Sequence, residues 1–130
     1  MSAFIDTNVL IYAQGAGPKS ETARRVVLAG GIVSVQVLNE FVAVLRRKFR
    51  LEWDAVADAL ADVRAALGPV RPIDVDIHLS AVTLARLHGF EFYDALVVAS
   101  ALEAGCDTLL TEDLQSGRRV AGLTIVNPFV

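Results

Sequence analysis

The sequence predicts an α/β fold: a three-layer α/β/α domain around a parallel sheet of about four to five strands. Two observations carry that expectation. Strand-like segments alternate with helix-like ones, and each strand-like segment is apolar throughout instead of alternating apolar with polar residues. Continuous apolar strands belong to parallel sheets, because crossover helices cover both faces. Length adds a bound. A chain of 130 residues has too little length for a second core, so residues 1–130 are expected to form a single domain.

The elements follow in order. Ala3-Phe4-Ile5 reads as the first strand, ending at Asp6, and Thr7 to Tyr12 begins a helix that Gly15-Ala16-Gly17-Pro18 breaks. A helical pattern from Lys19 to Ala29 closes on Gly30-Gly31, a suitable C-terminal stop. Ile32-Val33 is the second strand. Ser34 then caps a helix whose apolar residues Leu38, Phe41, Val42, Leu45 and Phe49 recur at helical spacing. The next helix runs from about Glu52 to Leu67, with Trp53, Val56, Leu60, Val63 and Leu67 on one face and Gly68-Pro69 at its end. Val70-Arg71-Pro72-Ile73 reads as a short strand that Pro72 confines to an edge or a strand end. Asp74 caps a helix through Leu87 that His88-Gly89 closes, and Tyr93 to Ala104 forms another that stops at Gly105. Thr108-Leu109-Leu110 and Leu123-Thr124-Ile125-Val126 complete the strands.

Composition excludes several classes. Hydrophobic residues make up 54% of the chain and charged residues 21%, with a mean hydropathy of +0.49, the reverse of a disordered chain. No apolar run approaches the roughly 20 residues of a membrane span. Met1-Ser2-Ala3-Phe4-Ile5-Asp6 has no basic region leading into a long apolar stretch, so no signal peptide is expected. Cys106 is the single cysteine, which excludes an intrachain disulfide and suits a reducing cytoplasm. The net charge of −3 has the wrong sign for broad phosphate affinity and leaves only local basic patches. Arg24-Arg25 reads as a solvated helix end, Arg118-Arg119 is a further patch, and Arg46-Arg47-Lys48-Phe49-Arg50 reads equally as a helix end or a nucleic-acid contact.

In doubly wound sheets, ligands sit beyond the carboxyl ends of the strands. Three acids meet that test. Asp6 directly follows the first strand, Glu40 lies in the second turn of the helix leaving the second strand, and Asp113 follows Thr108–Leu110. Asp94, in the first turn of a helix behind Phe92-Tyr93, is the fourth candidate. Each has a mundane alternative: Asp6 and Asp94 as helix caps, Asp113 as a turn residue, Glu40 as surface. Against it, Glu40 falls among apolar neighbours, and Asp6 lies between a buried strand and Val9-Leu10-Ile11, where an unpaired charge is costly. Clustered carboxylates repel, and a divalent cation relieves the repulsion. With no His or Cys among the four, hard Mg²⁺ or Mn²⁺ fits and zinc is disfavoured.

Four segments then resemble a known family. Phe4-Ile5-Asp6-Thr7-Asn8-Val9-Leu10, Asn39-Glu40-Phe41, Tyr93-Asp94-Ala95-Leu96-Val97-Val98-Ala99-Ser100-Ala101 and Leu110-Thr111-Glu112-Asp113-Leu114 are similar, in order and spacing, to the acidic motifs of PIN-domain nucleases. Among these the chain most resembles the VapC toxins of type II toxin–antitoxin pairs. The resemblance implies a PIN fold, Mg²⁺- or Mn²⁺-dependent endoribonuclease activity on an RNA substrate, a homodimer, and a VapB-like antitoxin partner. It places Asp6, Glu40, Asp94 and Asp113 at the four acidic positions, with Asn8 and Thr111 supporting them. Glu112 is a second acid beside Asp113, and the Thr-x-Asp pattern selects Asp113.

Other residues are given structural roles. His78 and His88 read as surface or capping groups, Cys106 as a small buried residue, and Trp53 and Phe49 as core or dimer interface. Asp54, Asp58 and Asp62 read as a solvated helix face. A catalytically weak PIN-like binding module is the alternative function. A phosphoryl-transfer protein needs a lysine after a strand, and Lys19 and Lys48, the only two lysines, follow none.

Overall fold

A computed structural model describes residues 2–130. The elements are β1 (Ala3–Ile5), α1 (Thr7–Gln14), α2 (Pro18–Leu28), α3 (Val35–Arg47), α4 (Trp53–Ala66), α5 (Val75–His88), α6 (Phe92–Glu103), β2 (Thr108–Leu110), β3 (Arg119–Val120) and β4 (Leu123–Val126). Strand order is β1-β2-β4-β3. The first three of these run parallel, pairing Phe4 with Leu109 and Leu109 with Ile125, whereas β3 is antiparallel to β4. The three-layer architecture is as the sequence predicts, but the sheet is mixed.

Two expected strands are shorter than anticipated. Ile32 bridges Phe4 in parallel, with the Ile5 N–H donating to its carbonyl and its own N–H donating to the Ala3 carbonyl, both at 2.9 Å. Arg71 bridges Ser34 in the same way. Each segment therefore adds one step to the β1 edge of the sheet. Ser34 ends the first by capping α3, its hydroxyl accepting from the Val37 N–H. Pro72, which has no N–H to donate, stops the second. β3 was not expected at all. It is a two-residue strand turned back by Ala121 and Gly122, both at positive φ.

One hydrophobic cluster holds the layers together, with Phe4, Ile5, Leu10, Phe41, Leu45, Leu109 and Ile125 removed from solvent. Helix α6 is apolar nearly all round: Ala95 to Ala101 are all buried. Such a helix lies in the interior, as its lack of a polar face requires. Gly31 marks the tightest packing, because a Cβ there would come within 2.6 Å of Ile5 Cδ1. Phe49 and Trp53, expected in the core or a dimer interface, lie outside the core, being 45% and 61% exposed. The stripe on α3 predicts a buried Phe49, but the helix ends at Arg47 and the chain turns outward. Trp53 opens α4 and is covered by the Arg46 guanidinium, 4.4 Å from its ring centre. Cys106 is buried, and Asp54, Asp58 and Asp62 face solvent, as expected. His78 is exposed and His88 half-buried.

Candidate active site

Asp6 sits where β1 ends, its N–H donating to the Leu110 carbonyl at 3.0 Å. That bond holds the ends of β1 and β2 side by side. Asp6 is buried, and its extended backbone lets its own carboxylate cap α1: Oδ1 accepts from the Thr7 N–H at 2.7 Å. Oδ2 accepts from the Thr111 hydroxyl at 2.8 Å. Thr111 is fully buried at the end of β2 and also accepts from the Asp113 N–H at 3.1 Å. Asn8 ties the two strand ends together. Its amide nitrogen donates to Thr111 Oγ1 at 3.0 Å and to Asp113 Oδ2 at 3.1 Å, and its carbonyl accepts from the Glu112 N–H.

Glu40 and Asp94 reach the same place from two helices. Glu40, on α3, accepts from the Thr7 hydroxyl at 3.1 Å. Asp94 is in the first turn of α6. All four carboxylates, with Thr7 and Asn8, line one cavity of about 580 Å³ between α1, α3 and α6. The fold thus brings together every acid that the sequence nominates.

Their electrostatics reflect crowding without compensation. Burial pushes the Asp6 carboxyl up to about 6, against the pull of its bonds from Thr111 and Thr7, and Asp113 and Glu40 add repulsion. Asp94 is also raised to about 6, by burial first and then by Asp113, Glu91 and Glu40. Glu40 is raised by burial and Asp113, against the Thr7 hydrogen bond. Among the described residues the ion pairs are Lys19–Glu112 and Arg25–Glu21, and neither includes any of the four.

Glu112 and Asp113 have separate surroundings. Glu112 also lines the cavity but is held by Tyr12, whose hydroxyl donates to it at 2.6 Å, and by Lys19 at 3.0 Å. Burial would raise its carboxyl, but those two donors and the Lys19 charge outweigh it and hold the group below the ordinary range. Asp113 turns to Asn8 and the cavity. Sequence reasoning overlooked Thr7 and Tyr93 as cavity-lining residues, and it read Lys48 and Phe49, which also line the cavity, within a run that serves equally as a helix end or a nucleic-acid contact. Adjacency to Asp6 and Asp94 was the available signal for Thr7 and Tyr93.

An all-oxygen, anionic, uncompensated donor set fits a hard divalent cation. Among the described residues, however, no three His, Cys, Asp or Glu side chains already enclose a single cation position.

Residues 3–123 match the PIN domain family. The chain belongs to that family. Solved structures agree in fold with this PIN domain. A toxin–antitoxin complex from Klebsiella pneumoniae superposes with a TM-score of 0.75 at 19% identity, covering 98% of each chain. The VapBC2 complex from Rickettsia felis, bound to a promoter DNA fragment, gives 0.70 at 20% identity, over 96% of this chain and 97% of that one. VapC20 of Mycobacterium tuberculosis, a toxin that cleaves the sarcin–ricin loop, gives 0.68 at 22% identity, over 83% and 87%. No curated protein sequence matches the chain significantly. No helix among the described residues is long and apolar enough to cross a membrane.

Proposed function

We propose that this protein is a Mg²⁺- or Mn²⁺-dependent endoribonuclease, a single PIN domain over residues 1–130 acting in the cytoplasm as the toxin of a toxin–antitoxin pair. The observation that carries the reading is the convergence of four carboxylates from four separate segments in one cavity, with no basic side chain among the described residues paired to any of them. Structural elements alone do not require that arrangement, which costs stability. The toxin–antitoxin structures that share the fold support the biological assignment.

Asp6, Asp94 and Asp113 would hold the cation, with Glu40 binding directly or through water. When bound, the cation supplies Lewis acidity for the phosphate and a water acidified for in-line attack. The chain's own residues do the rest. Thr111 and the Thr7 N–H fix the Asp6 oxygens in direction, and Asn8 holds Asp113 beside them. Glu40, made more basic by burial and by Asp113, is suited to accept a proton from water, and the Thr7 hydroxyl orients it. Ile11, Val44 and Val97 form an apolar part of the wall of the same cavity.

A VapB-like antitoxin and a second copy of the chain are the proposed partners. Val75, Leu79 and Val82, exposed at helical spacing on α5, offer an apolar surface for such contacts. One observation favours the catalytically weak binding module instead: among the described residues no three of the acids converge on one cation position. Cleavage of labelled structured RNAs by the purified protein separates the two. Cuts that need Mn²⁺ or Mg²⁺, stop with EDTA and vanish in Asp94→Asn are expected. Folded, antitoxin-free protein that cuts nothing under either metal overturns the nuclease reading. The toxin assignment predicts that expression alone arrests growth and that the partner antitoxin restores it. Harmless expression of an active nuclease would remove that assignment only.

A further inference from the structure

The cavity that holds the acids extends well past them, and its other walls have a different chemistry. On the α3 side, Glu40, Val44 and Lys48 follow one another at four-residue intervals and all line it. The helical rise separates Glu40 from Lys48 by about 12 Å, so the cavity is a trough that runs along α3 from an anionic to a cationic position. On the opposite side, α6 contributes Asp94 and Val97, together with Tyr93. Phe49 completes the lining next to Lys48.

Two of these residues are large aromatics that the fold leaves in water. Tyr93 is 60% exposed, although it has a whole apolar helix behind it. One edge of its ring rests against Phe92, with centroids 5.7 Å apart, which limits its motion. Phe49 is 45% exposed. Leaving both rings beside a charged trough has no packing benefit. The basic run 46–50 is divided by function: Arg46 is engaged, stacked on Trp53 and donating to the Leu51 carbonyl at 2.9 Å, whereas Lys48 lies in the trough and forms no salt bridge among the described residues.

We propose that this trough holds a short single-stranded run of RNA next to the bond to be cut, with Phe49 and Tyr93 as stacking surfaces for bases and Lys48 as a phosphate contact. The proposal rests on the ribonuclease reading. Single-stranded nucleic acid needs this combination: a cation for the backbone and aromatic faces that accept any base. A net charge of −3 and an acidic cavity repel a polyanion, so the local attraction must come from such contacts. Selection of a flexible loop over a duplex follows, because a paired base cannot present its face to a ring.

The test is binding of a fluorescent single-stranded oligoribonucleotide to the full chain, by anisotropy, in EDTA so that nothing is cut. Phe49→Ala and Tyr93→Ala should each weaken binding by about tenfold, the usual effect of removing one stacking ring. Tyr93→Phe should bind like the parent and Tyr93→Leu like the alanine variant, which separates stacking from packing. Lys48→Ala should lower the slope of log affinity against log salt by about 0.7, the value for one phosphate on a single strand. Arg86→Ala, on exposed α5 outside the trough, should leave both quantities unchanged. RNA that is bound and cut by the parent, but held equally well by the Phe49, Tyr93 and Lys48 variants, overturns the proposal and leaves the trough to a peptide. A parent chain that neither binds nor cuts RNA overturns the ribonuclease reading as well.

Discussion

Replacing Asp6 by asparagine should make this protein more stable at neutral pH, and the size of the gain follows from the site. The folded carboxyl ionises near 6, against 3.8 for the free group, chiefly because it is buried. An acid raised in the folded state stabilises the fold below its unfolded value and loses that contribution as pH rises through its folded value. Between about pH 4 and 6 the unfolded chain releases a proton that the native protein retains, so stability falls across that window and is level above it. At about 1.4 kcal/mol per pH unit, the native protein carries a penalty of about 3 kcal/mol at neutral pH and above. The Asp6→Asn side chain removes that charge but accepts only one of the two bonds from the Thr7 N–H and the Thr111 hydroxyl, a loss of about 1 kcal/mol. The net gain is about 2 kcal/mol, or about 1 M in urea midpoint for a chain of this size. Urea titrations of parent and Asp6→Asn in EDTA, at about pH 7.5 and about pH 4 on either side of the titration window, check it. The difference should be large at the higher pH and vanish or reverse at the lower. A midpoint that is unchanged or lower in the variant at both values would refute the reasoning, since the carboxylate would then not be under strain.

Three further outcomes are expected. Thr111→Val keeps shape but leaves Asp6 Oδ2 and the Asp113 N–H without their hydroxyl partner; it should cost about 1–3 kcal/mol and reduce cleavage, while Thr111→Ser retains both, as urea titration and an RNA assay will report. Gly31→Ala drives a methyl group into Ile5, which is fully buried and cannot swing aside; a loss of about 1–3 kcal/mol, partly restored by Ile5→Val, is expected, and a neutral Gly31→Ala would contradict the close approach. Cys106 is buried, and burial together with Asp107 raises its thiol above the ordinary range; near neutral pH it should react with a maleimide only after unfolding, as mass spectrometry of native and urea-treated protein can decide.

The layered architecture and the four acids were legible because their signals are local. Apolar strands mark the sheet, and Asp6 and Asp113 announce themselves by following strands closely. Features set by distant partners were not legible. β3 exists because Ala121 and Gly122 both take positive φ and fold Arg119-Val120 back on β4; an Ala-Gly pair is not the Asn-Gly signature of such a turn. Ile32 and Arg71 look like members of full strands, yet the neighbouring Ser34 cap and Pro72 limit each to one bridge. Phe49 continues the α3 periodicity in sequence but not in space, since the helix has already ended. Helical spacing therefore groups with the core stripe a ring that lines the cavity instead.

The bond between Thr111 and Asp6 spans 105 positions of the chain. Its timing matters as much as its geometry. A polypeptide emerging from the ribosome displays Asp6, Glu40 and Asp94 before Thr111 and Asp113 are free to join them, and until then Asp6 lacks its tether and β1 its neighbour β2. Contacts this remote form late in folding, because the intervening loop must close first. Synthesis of the segment beyond Asp94 therefore sets an interval in which three of the four acids exist without the strand and the fourth acid that complete their cavity.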